Sequence, residues 1–225
     1  MKFYRNELIG LLGALAMLVS CAKDTNQKDN IATRTEVLPY YQEATYTPVW
    51  FGQNSDSLND FHQIPAFKLI NQMGDTITEQ TFENKIYVAN FFFTVCPGIC
   101  PQMTSNMLLV QDAFKDDDDI LLLSHSVTPN YDSIAILKEY AEANGVIKNK
   151  WHLVTGDQSE IYKLGRKAYF AEEDLGVVKG ENEFLHTENF VLVDKNKNIR
   201  GIYNGLNKVS VNQLISDIKL LKSSY

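Results

Sequence analysis

From about Pro48 onward the chain alternates solid apolar runs with stretches whose apolar residues return every three or four positions. The runs KIYVANFFFT (85–94) and ILLLSHSV (120–127) are continuous, β-branched or aromatic, and read as central strands covered on both faces. AFKLINQMGDTITEQTF (66–82) alternates at Phe67, Leu69 and Ile77 around Met73-Gly74-Asp75, which predicts a hairpin. Helical spacing appears in CPQMTSNMLLVQDAF (100–114), through Met103, Met107, Val110 and Phe114. It appears again in YDSIAILKEYAEANG (131–145), closed by Gly145. DQSEIYKLGRKAYF (157–170) has Asp157 or Ser159 as N-cap, and VSVNQLISDIKLLKSS (209–224) closes the chain. KWHLVTG (150–156) is a short strand, and NFVLVDKNKNIRGIYNG (189–205) is a second hairpin. The order hairpin, β, α, β, α, β, α, β, β, α predicts an α/β sandwich with a mixed sheet.

Ahead of this domain the pattern changes. MKFYRNELIGLLGALAMLVSC (1–21) has a basic start and an apolar run from Leu8 to Val19, too short to span a bilayer comfortably. This is the layout of an export signal, and Leu18-Val19-Ser20-Cys21 resembles a bacterial lipobox, which makes Cys21 the lipidation site. An uncleaved anchor helix is the alternative. Both place the domain outside the cytoplasm beside a membrane. Residues 22–47 are polar without apolar periodicity and read as a tether. The expected division is 1–20 signal, 21–47 lipidated cysteine and tether, and 48–225 one domain.

The net charge of −7 leaves no basic excess to neutralise phosphates, so a nucleic-acid partner is not expected. With Cys21 taken by lipid, the chain retains two thiols, Cys96 and Cys100, in FFFTVCPGICPQMT (91–104). A disulfide closing so short a loop would constrain little of the unfolded chain, so reactivity explains the pair better than stapling. They fall where the first long strand hands over to a helix, at the sheet's carboxyl edge. Pro97 and Pro101 stiffen the loop, and a helix start favours thiolate at Cys100. The layout is similar to thioredoxin-type enzymes with two differences. Three residues, Pro97, Gly98 and Ile99, separate the cysteines, and no proline follows Pro129 to face them. His186 stands in the later loop instead, four residues before the strand at Phe190. Spacing alone reads it as a loop histidine capping a strand. Were it to join the cysteines, two thiolates and one imidazole would suit copper, while zinc would want a fourth ligand.

Several motifs together, HQIPAFKLINQMGDTITEQTFENKIYVANFFFTVCPGICPQMTSNM, LLSHSVTPNYDSIAILKEYAEANGV, WHLVTG and FLHTENFVLVD, resemble the Sco (SenC) family over roughly 48–223. The resemblance implies a thioredoxin-like fold, with the first hairpin as an N-terminal extension, tethered to the bacterial cell envelope with its domain on the extracytoplasmic side. It implies one copper, Cu(I) or Cu(II), held by Cys96, Cys100 and His186. It also implies maturation of the dinuclear copper site of a cytochrome c oxidase, the copper-site subunit being the partner. The alternative is a thiol–disulfide reductase with Cys96–Cys100 as its redox couple; no other enzymatic activity is expected. Two positions depart from the family pattern. Gly98 stands where an acidic residue is frequent, and Val127-Thr128-Pro129 replaces VDP, which removes a carboxylate from near the site. His125 is read as a satisfied strand-end histidine, and His62 and His152 are given no role. Met103 and Met107 are read as core, 116–119 as a solvated turn, and Trp50, Phe51 and Trp151 as packing residues.

Overall fold

Ile86–Phe92 forms strand β3, and all seven of its residues are buried. Its even positions Ile86, Val88 and Phe92 enter one core, its odd positions Tyr87, Ala89 and Phe91 the other. β4, Ile120–Ser126, is equally buried and lies parallel to it, Ile86 opposite Ile120 and Phe92 opposite Ser126. The computed structural model describes residues 37–51, 58, 60–172 and 183–225. The expected signal at 1–20, lipidated Cys21 and the tether to 36 lie outside the described residues. Among the described residues no helix is long and apolar enough to cross a membrane.

The element order is the expected one. The hairpin β1 (Lys68–Asn71) and β2 (Thr76–Thr78) turns at Gly74, whose φ of +85° suits glycine. After β3 come α1 (Cys100–Ala113), β4, α2 (Ile134–Asn144), β5 (Trp151–Thr155) and α3 (Gln158–Lys163), continued by a π-helical turn at Leu164–Ala168. β6 (Asn189–Val193), β7 (Ile199–Asn204) and α4 (Lys208–Ser223) complete the chain. The seven strands order as β2-β1-β5-β4-β3-β6-β7, with β3, β4 and β5 parallel and the others antiparallel to their neighbours. α1, α2 and α4 cover the Val88 face; α3 covers the Tyr87 face. Met103, Met107, Val110 and Phe114 are buried, as their spacing predicts.

Two expectations are corrected. Trp151 is 2% exposed, but Trp50 is 54% exposed and packs no core. Part of the expected tether is folded onto the sheet: Leu38 is buried, Tyr40 bridges Val49 and Tyr41 bridges Ile199. Buried Arg200 holds it, donating to the Leu38 and Pro39 carbonyls at 2.6 and 3.0 Å, with its guanidinium 3.7 Å from the Tyr40 ring centre. The stretch has no apolar period because a few aromatics and main-chain carbonyls, not a face, do the docking.

Candidate functional site

β3 delivers the chain to the sheet's carboxyl edge at Phe92, and residues 93–99 turn it into α1. Cys100 is the first residue of that helix and is 4% exposed, packed with Phe92, Met103 and Met107. Cys96 lies above it, partly exposed; both cysteines are free thiols. Ile99, the N-cap, contributes no side-chain cap. Cys96 lies in the loop just before it. Burial raises its pKa, but hydrogen bonds from the Cys100 N–H and thiol, then from the Gly98 and Ile99 N–H groups, outweigh burial and hold it below the usual thiol value. The Ile99 and Cys100 N–H groups are among the donors a helix start leaves without intrahelical partners.

The two shifts run toward thiolate at Cys96 and thiol at Cys100, the reverse of the expectation for Cys100. Burial pushes the Cys100 thiol up to about 12, helped by Cys96 and by the Asp132 carboxylate and against a backbone hydrogen bond from Phe93. Cys100 itself is drawn into the core.

Asp132 is fully buried and escaped the sequence reading. It accepts from Thr94 Oγ1 (2.5 Å), Thr94 N (3.3 Å), Ser126 Oγ (2.6 Å) and Thr128 Oγ1 (3.0 Å). It therefore ties the cysteine loop to the loop after β4. The carboxylate expected to be lost with Thr128 is supplied four residues later. No local signal finds it, because its neighbour Ser133 is the helix cap and Asp132 is defined by tertiary partners. Among the described residues, nothing beyond its chain neighbours lies within 4 Å of the place a Cβ would take at Gly98, so a side chain would fit there. Tyr140 bonds Thr104 at 2.8 Å, and burial first, then the two cysteines and Asp132, raises its pKa.

His186 sits on the neighbouring loop. Its own side chain is exposed, while Leu185 and Thr187 on either side are buried. The two loops touch: the Phe184 ring meets the Phe93 ring edge-on, centroids 5.4 Å apart. The structure thus brings the two thiols together and sets His186 beside their loop. Among the described residues no group of three His, Cys, Asp or Glu stands close enough to hold a metal ion. The donors fit a soft cation in kind: two sulfurs lie at the helix start, and the loop that carries His186 packs beside theirs.

The other histidines are away from this chemistry. His125 is wholly buried, stacked on Phe91 at 4.6 Å, with Nδ1 3.3 Å from the Asn90 carbonyl and Nε2 without a partner, so the expected full satisfaction is only half met. His62 bonds the Ala168 carbonyl at 2.7 Å, and His152 lies 3.2 Å from Asn71.

The SCO1/SenC family model matches residues 55–222. The SCO1 protein homolog of Bacillus subtilis is 31% identical over 172 residues, covering 74% of this chain and 86% of its own. A SCO1/SenC family lipoprotein from Bacillus anthracis superposes with a TM-score of 0.63 at 29% identity, over 72% of this chain and 95% of that one. BsSco, described as a member of the Sco family of cytochrome c oxidase assembly proteins with a disulfide switch, superposes at 0.61 with 28% identity, over 73% and 95%. The overlap bears out the thioredoxin-like α/β sandwich.

Proposed function

This chain belongs to the SCO1/SenC family, and from that premise we propose that it is a membrane-tethered copper-binding protein of the bacterial envelope. It serves the dinuclear copper site of a cytochrome c oxidase, whose copper-site subunit is its partner. Cys96, Cys100 and His186 are the ligands, with Cys21 carrying the lipid. The observation that carries this reading is the pair of free thiols at the β3–α1 junction, Cys96 partly exposed and Cys100 buried at the first residue of the helix, with the His186 loop packed against theirs through Phe184 and Phe93. Copper, as cargo, would replace the thiol protons, and two thiolates with an imidazole form a soft, low-coordinate set. Closing that set requires the exposed His186 side chain to turn toward the two sulfurs. The lipid anchor agrees with the lipoprotein naming of the Bacillus anthracis neighbour.

The test is copper titration of the reduced full-length chain against a chromophoric chelator, beside Cys96→Ser, Cys100→Ser and His186→Ala. One copper per chain is expected, with each variant weakened at least about tenfold, roughly 1.4 kcal/mol or more. Oxidation to the disulfide should release the metal, because a disulfide offers no thiolate. A wild-type chain that takes up no copper overturns the reading.

A second reading is favoured by the lowered Cys96 pKa beside a protonated Cys100. In it, Cys96 attacks a partner's disulfide and Cys100 resolves the mixed disulfide. It is separated from the first by His186→Ala, which would leave disulfide exchange unchanged.

A further inference from the structure

Tyr46 lies in the segment whose sequence reads as tether, yet its hydroxyl meets the base of the His186 loop. It donates to the Phe170 carbonyl at 2.9 Å, stands 3.3 Å from the Ala171 carbonyl, and accepts from Asn189 Nδ2 at 2.9 Å. Asn189 Nδ2 also donates to the Ala171 carbonyl at 3.0 Å. That same carbonyl receives Thr187 Oγ1 at 2.5 Å, and Thr187 Oγ1 accepts from the Asn189 N–H at 3.0 Å. On the other side of Thr187, His186 N donates to Glu172 Oε1 at 3.3 Å, and Arg166 Nε donates to Glu172 Oε2 at 3.1 Å.

The His186 backbone is therefore fixed from 170–172 on one side and from Asn189 on the other, and the Tyr46 hydroxyl joins both. Tyr46 (φ 56°) and Phe170 (φ 48°) are both in left-handed backbone, which non-glycine residues adopt at a cost. The bond between them links two locally unfavourable turns, so each is held in part by the other. The N-terminal segment carrying Tyr46 is itself seated by the Tyr40–Val49 and Tyr41–Ile199 bridges.

We propose that Tyr46 is a positioning residue for His186: its hydroxyl couples the docked N-terminal segment to the loop that presents the imidazole. This rests on the assignment of His186 as a ligand for its consequence in metal binding, but not for the coupling itself. The segment leading from the membrane anchor then helps set the third ligand, although it lies 140 positions away in sequence.

The test uses the full-length reduced chain in detergent, with Tyr46→Phe, which removes only the hydroxyl. Thr47→Ala is the control, since among the described residues the Thr47 hydroxyl meets only its neighbour Thr45. In the metal-free protein, amide exchange over 183–189 should accelerate about fivefold in Tyr46→Phe, the effect of one hydrogen bond. β3 and β4 should keep wild-type rates, and the control should match wild type. Unchanged exchange over 183–189, or acceleration spread evenly over the sheet, overturns the proposal. In Cu(II) titrations Tyr46→Phe should weaken binding about fivefold when His186 is present and have no effect in a His186→Ala background. An equal loss in both backgrounds marks a general structural effect and also overturns it. Should the wild-type chain bind no copper, the metal reading falls, and the exchange measurement by itself decides the coupling.

Discussion

His125 is where burial and protonation conflict most sharply. The ring is enclosed by Phe91, Phe67 and Tyr169, and the Asn90 carbonyl can only accept, so the proton sits on Nδ1 and Nε2 is left bare. Burial lowers the His125 pKa from 6.5 to about 4, against a raising hydrogen bond to Asn90. Between those values the unfolded chain binds a proton that the folded chain refuses. Stability should therefore fall as pH drops through that window and be insensitive to this group above it, by on the order of 3 kcal/mol in all. His62 and His152, also lowered chiefly by burial, act in the same direction. Urea unfolding at pH 7 and pH 4.5 should show a much smaller loss for His125→Phe than for wild type. Equal losses would mean that the ring takes up its proton inside the fold. At this scale the sequence was a partial guide. It singled out Cys96, Cys100 and His186, but gave the activated sulfur to Cys100 and missed Asp132.

The elements were legible almost throughout, because each announces its own period and ends. α2 starts at Ser133, whose hydroxyl accepts from Ile136 N, and stops at Gly145 with φ +72°. Among the described residues, nothing beyond its chain neighbours lies within 4 Å of the Cβ that Gly145 lacks, so Gly145→Ala meets no clash and pays only for left-handed backbone. That cost is about 1 kcal/mol, or a Tm roughly 2–4 °C lower in thermal unfolding. Asp157, not Ser159, caps α3, accepting from Glu160 N at 3.0 Å. The acidic turn at 116–119 is less solvated than its composition suggests. Lys222 bonds Asp117 at 2.5 Å, Lys85 reaches Asp119 at 3.3 Å, and the Lys150 ammonium caps the Asp117 and Ile120 carbonyls. Those partners come from three distant elements, so a local reading of four aspartates had no means of finding them.

Across the whole molecule, the arginine of one buried ion pair helps hold the N-terminal segment beside its two bridges. Arg200 meets Asp194 at 3.1 Å, their side chains 6% and 0% exposed, while its remaining donors hold the Leu38 and Pro39 carbonyls. Removing one partner of such a pair leaves a buried charge unmatched, at about 3–5 kcal/mol. Arg200→Met should lower denaturant stability by that order and expose residues 37–49 to protease before the sheet is cut. A variant whose segment stays protected would show that the Tyr40 and Tyr41 bridges suffice.

By itself the sequence determined the order of elements, the double-faced burial of β3 and β4, and the placement of two cysteines at a strand-to-helix junction. These follow from short-range periodicity and from turn chemistry, which neighbours in sequence specify. Tertiary structure alone decided that Asp132 braces the cysteine loop and that residues 37–49 belong to the fold. Each of those depends on a hydrogen bond or a buried charge between groups far apart in the chain. Such partners become neighbours only when the sheet closes and desolvation makes their pairing obligatory.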